Sequence, residues 1–152
     1  YLKIMEVSRR LGVSEFVGTV GSYDYSEISS VYGMADIVFV PSLLETFSAT
    51  YLEAFSFSKP LVAADKAFAK DVCGDAALYV NPLEFKESAD AIASLIGCDD
   101  LSLKLVERGK ERLSLFGTQR DRYENIVSVI KEVAEREYEA SSAVDEPRRD
   151  AS

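Results

Sequence analysis

The chain has 152 residues, 47% of them hydrophobic and 28% charged, enough for one domain with a core of its own. A formal net charge of −9 argues against nucleic acid and anionic membrane as direct partners. Histidine is absent and the cysteines are Cys73 and Cys98, which removes an imidazole base and fits neither a disulfide framework nor a metal site.

The two thiols read as reduced cysteines of a cytoplasmic protein. No apolar run approaches the roughly 20 residues that a membrane span needs, and no signal-peptide pattern opens the chain. Its first residue is Tyr1 rather than Met, which predicts that the natural amino terminus lies upstream.

In chain order, Leu2 to Leu11 reads as the tail of a helix closed by Gly12. Phe16–Val20 is expected to be a short strand ending at Gly21, and Tyr25 to Tyr32 a helix capped by Asp24 or Ser26. Ile37–Val40 is apolar without alternation, the mark of a strand buried on both faces. Pro41 stops it, and an amphipathic helix is predicted from Thr46. Leu61–Ala64 is the next strand. A helix around Phe68–Val72 ends at Gly74, and strand Ala77–Val80 is closed by Pro82.

Three helices are predicted to follow. The first carries Phe85, Ala89, Ile92, Ala93 and Ile96 on one face. Leu103, Val106 and Leu113 mark the second, which ends at Phe116-Gly117. Tyr123, Ile126, Val127, Ile130, Val133 and Ala134 give the third a stripe expected to dock as core. From Glu139 the composition turns to Ser, Asp, Pro and Arg, so residues 1–138 are predicted to form the domain and 139–152 a disordered tail. Strands alternating with helices imply a parallel, doubly wound α/β sheet.

The chemistry concentrates where strand Ile37–Val40 hands over to the next helix. Seven residues lie between Glu45 and Glu53 there, two acids along one side of the crevice in which open α/β sheets bind ligands. Four blocks carry a family resemblance: Ala35-Asp36-Ile37-Val38-Phe39-Val40-Pro41-Ser42, the Glu45…Leu52-Glu53-Ala54 pair, Lys59-Pro60-Leu61-Val62-Ala63-Ala64-Asp65, and Cys73-Gly74-Asp75-Ala76-Ala77-Leu78-Tyr79-Val80-Asn81-Pro82. In this order, from about Gly12 to Tyr123, the chain resembles the carboxyl-terminal, donor-binding domain of the retaining GT-B glycosyltransferases of group 1, with their E-x7-E signature.

That resemblance implies a Rossmann-like parallel sheet that is incomplete, its first two strands preceding Tyr1, followed by a carboxyl-terminal helical segment. With those strands absent, Phe16–Val20 either pairs directly with Ile37–Val40 or leaves a gap. It implies transfer of a sugar from a nucleotide-diphosphate sugar to a saccharide or lipid-linked acceptor, independent of metal, with retention achieved on the front face. Glu53 would accept the ribose hydroxyls beside Leu52, Glu45 would contact the transferred sugar, and Thr19, Val20 and Gly21 would lie beside the base.

A leaving diphosphate needs cations or helix amino termini. The amides of Thr46, Phe47 and Ser48 are the donors this chain offers. Thr46 and Ser48 stand where the family usually has glycine, and their hydroxyls are expected to add donors to the same oxygens. The Lys and Arg that clamp the diphosphate, and the acceptor site, would belong to the missing amino-terminal domain. The chain alone is therefore expected to be inactive, and to reach the inner face of a membrane only through that domain.

Lys104, Arg108, Lys110 and Arg112, mixed with Glu107 and Glu111, read as a solvated helix face. Asp71 reads as helix surface. Two other readings are a noncatalytic relative of the same architecture, prompted by Thr46 and Ser48, and a nucleotide-sugar epimerase built on the same plan. No G-x-G-x-x-G, P-loop or receiver-type acidic pair occurs.

Overall fold

A computed structural model describes residues 2–144, the side chains at 119 and 138–144 excepted. These residues divide into two compact units, one ending at Lys110 and the other beginning at Glu111.

The first unit opens with α1 (Leu2–Arg10), closed by Gly12 at φ +70°. A 3-10 turn at Tyr25–Glu27 leads into α2 (Ile28–Gly33). Of the two capping candidates, Asp24 holds the position: its N–H donates to Glu27 Oε2 at 2.9 Å. Then come β1 (Val38–Val40), α3 (Ala49–Ser56), β2 (Leu61–Ala64), α4 (Ala67–Cys73), β3 (Ala77–Val80), α5 (Phe85–Ile96) and α6 (Asp99–Ser114). The strands form a parallel sheet in the order β1-β2-β3, with Phe39 beside Val62 and Val62 beside Leu78.

Every residue of central β2 is buried, as its unbroken apolar run requires. Val62 and Val80 pack with Leu95 of α5 and Leu105 of α6, and Ile37, Leu78, Ala91, Ile92 and Leu101 close around them. Each such fully buried aliphatic side chain contributes about 1.5–3 kcal/mol. Cys73 is buried and Cys98 exposed, and no disulfide joins them.

Several expectations are corrected. Phe16–Val20 is not a strand. Ser14–Phe16 is a 3-10 turn, Val17 is extended, and Phe16 is 80% exposed. An extended segment with no ladder neighbour leaves its backbone groups to water, and β1 bonds β2 alone. β1 itself is only half-buried, with Phe39 facing out, because it is an edge strand rather than a central one.

The faces of α5 and α6 are also shifted. Ser88, Ala91, Ile92 and Leu95 face the core, whereas Phe85, Ala89, Ala93 and Ile96 are exposed. On α6 the inward face is Leu101, Leu105 and Gly109, with Leu103 outside. Two apolar sets one helical step apart compete on each helix, and contact with Val62 and Val80 selects between them.

The second unit contains α7 (Gln119–Val144). Thr118 and Asp121 form its capping box: the Thr118 N–H donates to Asp121 Oδ2 at 2.6 Å, and the Asp121 N–H to Thr118 Oγ1 at 3.2 Å. Tyr123, Ile126, Ile130 and Val133 are exposed along α7. The backbone stays helical through Val144, past Glu139 where the tail was predicted to start. Residues 145–152 lie outside the described residues. No helix among them is long and apolar enough to cross a membrane.

Candidate functional site

The site begins where β1 ends at its carboxyl edge. Pro41 stops the strand, eight residues of loop follow, and α3 begins at Ala49 with Ser48 as its N-cap. The helix therefore starts three residues later than predicted. Thr46 and Phe47 precede it in the loop and are exposed. The extended backbone of Ser48 marks this boundary, since a residue in that conformation lies outside the helix.

Ser48 adopts φ −104° and ψ 115°, a conformation open to any residue, so serine is unstrained there. Its side chain is buried, yet it makes no capping bond to α3. The Tyr51 N–H turns back to the Ser48 carbonyl at 3.3 Å. The helix thus presents an amino terminus without a side-chain cap, carrying about half a positive charge.

Glu53 lies a little over one turn into α3 and is half-buried. The Tyr32 hydroxyl, from α2, donates to Glu53 Oε2 at 2.8 Å. The Tyr32 ring stacks on Phe57 with centroids 4.9 Å apart and planes 13° from parallel. Glu53 and Phe57 are i and i+4 along one face, so Tyr32 grips both. Burial, then the bond to Glu53 and its charge, push the Tyr32 hydroxyl well above the ordinary tyrosine range. It therefore stays protonated and donates. One oxygen of Glu53 and further lone pairs remain for other donors.

Glu45 is also half-buried and keeps a separate partner. Ser42 Oγ donates to Glu45 Oε1 at 3.2 Å across the loop. Tyr51, fully buried on α3, has a hydroxyl with no hydrogen-bond partner. Burial first, then the neighbouring Cys73 and Glu45, raise its pKa. Glu45 is thus electrostatically coupled to Tyr51, while Glu53 turns to Tyr32. Leu52 between them is half-buried.

Thr19, Val20 and Gly21 form an exposed turn in which the Gly21 N–H donates to Thr19 Oγ1 at 3.0 Å. Gly21 has φ +71° with open space around it, so backbone conformation alone demands glycine there. Tyr23, just beyond, lies near enough to Tyr32 to raise its pKa slightly.

Asp71 is exposed on α4. Arg108 is not simply solvated: its Nε pairs with Asp75 Oδ2 at 3.3 Å, and Nη1 donates to the Asp75 carbonyl at 3.2 Å. A cavity of about 410 Å³ opens beside the amino ends of β1 and β2, lined by Asp36, Ile37, Pro60, Asp99 and neighbours. A second, of about 400 Å³, is an apolar groove along α1. None of the residues lining either belongs to the predicted donor site.

Tyr32, Ser42 and Tyr51 were missed from the sequence. Ile28, Val31 and Tyr32 do have the spacing of an inward helical face. A buried tyrosine needs a partner for its hydroxyl. Nothing in the linear order pairs it with a residue 21 positions away.

The family described as glycosyl transferases group 1 matches residues 3–112. A D-inositol 3-phosphate glycosyltransferase of Nocardia farcinica is 33% identical over 99 residues, 64% of this chain and 22% of that protein. Its counterpart in Corynebacterium jeikeium is 31% identical over 120 residues, 77% of this chain and 28% of that protein. The chain thus spans about a quarter of the length of these curated relatives. Among solved structures, a sucrose-phosphate synthase of Thermosynechococcus elongatus superposes with a TM-score of 0.74 at 21% identity, over 91% of this chain and 34% of that one. At that identity the likeness speaks for the fold, a Rossmann-like α/β sheet of the GT-B kind. With the family pattern extending over more than half of its residues, this chain belongs to the group 1 glycosyl transferases.

Proposed function

We propose that the chain is the donor-binding part of a glycosyltransferase that moves a sugar from a nucleotide-diphosphate sugar to a saccharide or lipid-linked acceptor with retention of configuration. Glu53 supports this reading most directly. It is a half-buried carboxylate on α3, held by Tyr32, with acceptor capacity to spare. The start of α3 lies about 6 Å along the helix axis from it, a span that a nucleoside diphosphate bridges from ribose hydroxyls to phosphate.

In this reading the leaving diphosphate meets the uncapped amides at the start of α3, with Ser48 at the cap and Thr46 and Phe47 in the loop before it. Charge that develops as the sugar–phosphate bond breaks is stabilised there without reorganisation. Glu53 accepts from the ribose hydroxyls and Leu52 lies beside them. Glu45, steadied by Ser42, contacts hydroxyls of the transferred sugar. The base lies along the Thr19–Gly21 turn. Neither glutamate forms a covalent bond, and the departing phosphate oxygen takes the proton of the attacking acceptor hydroxyl on the same face.

A second domain supplies the acceptor side and the cations for the diphosphate, in keeping with relatives about three times as long as this chain. The reaction runs in the cytoplasm without a metal, so chelation with EDTA is expected to leave donor affinity unchanged.

A thermal-shift screen of uridine, guanosine and adenosine diphosphate sugars against the full-length protein tests the reading. Stabilisation by one nucleotide class, and its loss in Glu53→Ala, is expected. No stabilisation by any of them refutes it. A noncatalytic relative is the second reading, favoured by Ser48, whose buried side chain fills space at the α3 cap. Loss of donor binding in the full-length protein, with folding intact, would favour it, and product analysis would reveal an epimerase as an altered donor with no glycosylated acceptor.

A further inference from the structure

We infer that Tyr32 is a positioning residue for the donor's ribose, acting through Glu53. The inference rests on the reading of Glu53 as ribose acceptor, and it adds a residue from a different helix to that site. A glutamate on a helix surface otherwise swings through several rotamers in water. Here Oε2 is tied to the Tyr32 hydroxyl at 2.8 Å. The hydroxyl is itself fixed, because its ring is 6% exposed and stacked on Phe57. Phe57 follows Glu53 by one turn on the same helix face, so ring and carboxylate are held by a single rigid contact between α2 and α3.

The hydroxyl can only donate in this setting. Burial and the adjacent carboxylate keep it protonated, so its bond holds Oε2 of Glu53 in place. Recognition of a vicinal diol gains from such preorganisation, since a two-oxygen acceptor must meet two donors at once. Tyr32 therefore sharpens selection for a ribose over a sugar lacking those hydroxyls.

Titration calorimetry on the full-length protein tests this with UDP, GDP and ADP and the 2′,3′-dideoxy form of whichever binds tightest. In the wild type the ribose form is expected to bind more tightly. Tyr32→Phe, which keeps the ring on Phe57, is expected to weaken the ribose form about tenfold and to leave the dideoxy form unchanged. In a Glu53→Ala background, Tyr32→Phe should make no further difference. Phe57→Leu, which loosens the ring but keeps the hydroxyl, should lower the same ratio and covers the case in which Tyr32→Phe does not fold.

Equal weakening of both nucleotides in Tyr32→Phe, or an undiminished ratio, overturns the role of Tyr32 while leaving Glu53 as ribose acceptor intact. A wild-type ratio of one overturns the Glu53 assignment itself, and the role of Tyr32 with it.

Discussion

Gly109 on α6 lies against the Phe55 ring of α3 so closely that a Cβ at this position would stand 2.7 Å from Phe55 Cδ1 and 3.2 Å from Cγ. Phe55 is 2% exposed, so its ring can shift only by displacing close-packed neighbours. Alanine is the better helix former by about 1 kcal/mol, but overpacking a filled core costs about 1–3 kcal/mol. Gly109→Ala is expected to lower stability on balance. Urea denaturation followed by circular dichroism would read this as an earlier midpoint at unchanged slope, and a later midpoint would mean that the ring gives way.

The two acids should separate by ligand. Glu53→Ala is expected to weaken a nucleoside diphosphate and its sugar conjugate alike, by about 1.5–3 kcal/mol, the scale of a hydrogen bond to a charged group. Glu45→Ala should weaken only the conjugate, because its proposed contacts are with the sugar. Calorimetry with matched pairs of the two ligands checks both, and a Glu45→Ala loss on the bare diphosphate would contradict the division.

Tyr32 and Tyr51 should ionise late in an alkaline titration. Their pKa values are raised above the ordinary 10.0, by burial first and then by hydrogen bonding or neighbouring groups. Exposed Tyr25 and Tyr123 lack that burial. The unfolded chain releases its phenolic protons near pH 10, while the folded chain retains these two. Stability from the buried neutral phenols is thus full below pH 10 and declines as pH climbs beyond it. In an ultraviolet titration of phenolate absorbance, Tyr32→Phe and Tyr51→Phe should each remove one phenol that ionises only as the protein melts.

What the sequence made legible depended on local signals. β2 and β3 were bounded correctly because each is a short apolar run closed by turn residues. Gly12 and Gly74 were recognised as stops because a positive φ favours glycine, and both have one. Phe16–Val20 looked the same by composition, but a strand exists only if a neighbour bonds it. Partner choice lies outside the segment. The same holds for Ser88, a polar residue that sits in the core while Phe85 faces water. Of the site, the Glu45 and Glu53 pair was visible as a motif. The tethers from Ser42 and Tyr32 arise from tertiary packing, which no spacing rule encodes.

Acid should act on the start of α7. The Thr118 N–H and hydroxyl hold the Asp121 carboxyl below its ordinary 3.8. A depressed carboxylate contributes its stability above that value and loses it as pH falls through the lower, folded pKa. The Thr118 amide resonance should therefore shift late in an acid titration, and Asp121→Ala should remove the shift and fray the first turn. An unchanged amide in that variant would rule out the capping box.

β1 has consequences for handling the protein. Among the described residues its outer margin bonds no other strand, and in this chain by itself Phe39 is 40% exposed there. A bare margin of this kind is a template onto which any extended peptide can add, including another molecule's Val38–Val40. Concentrated stocks should therefore thicken through strand-to-strand growth before they lose their helices. A lysine in place of Phe39 would be the simplest remedy, blunting the adhesive rim without touching the acids on α3 and its loop.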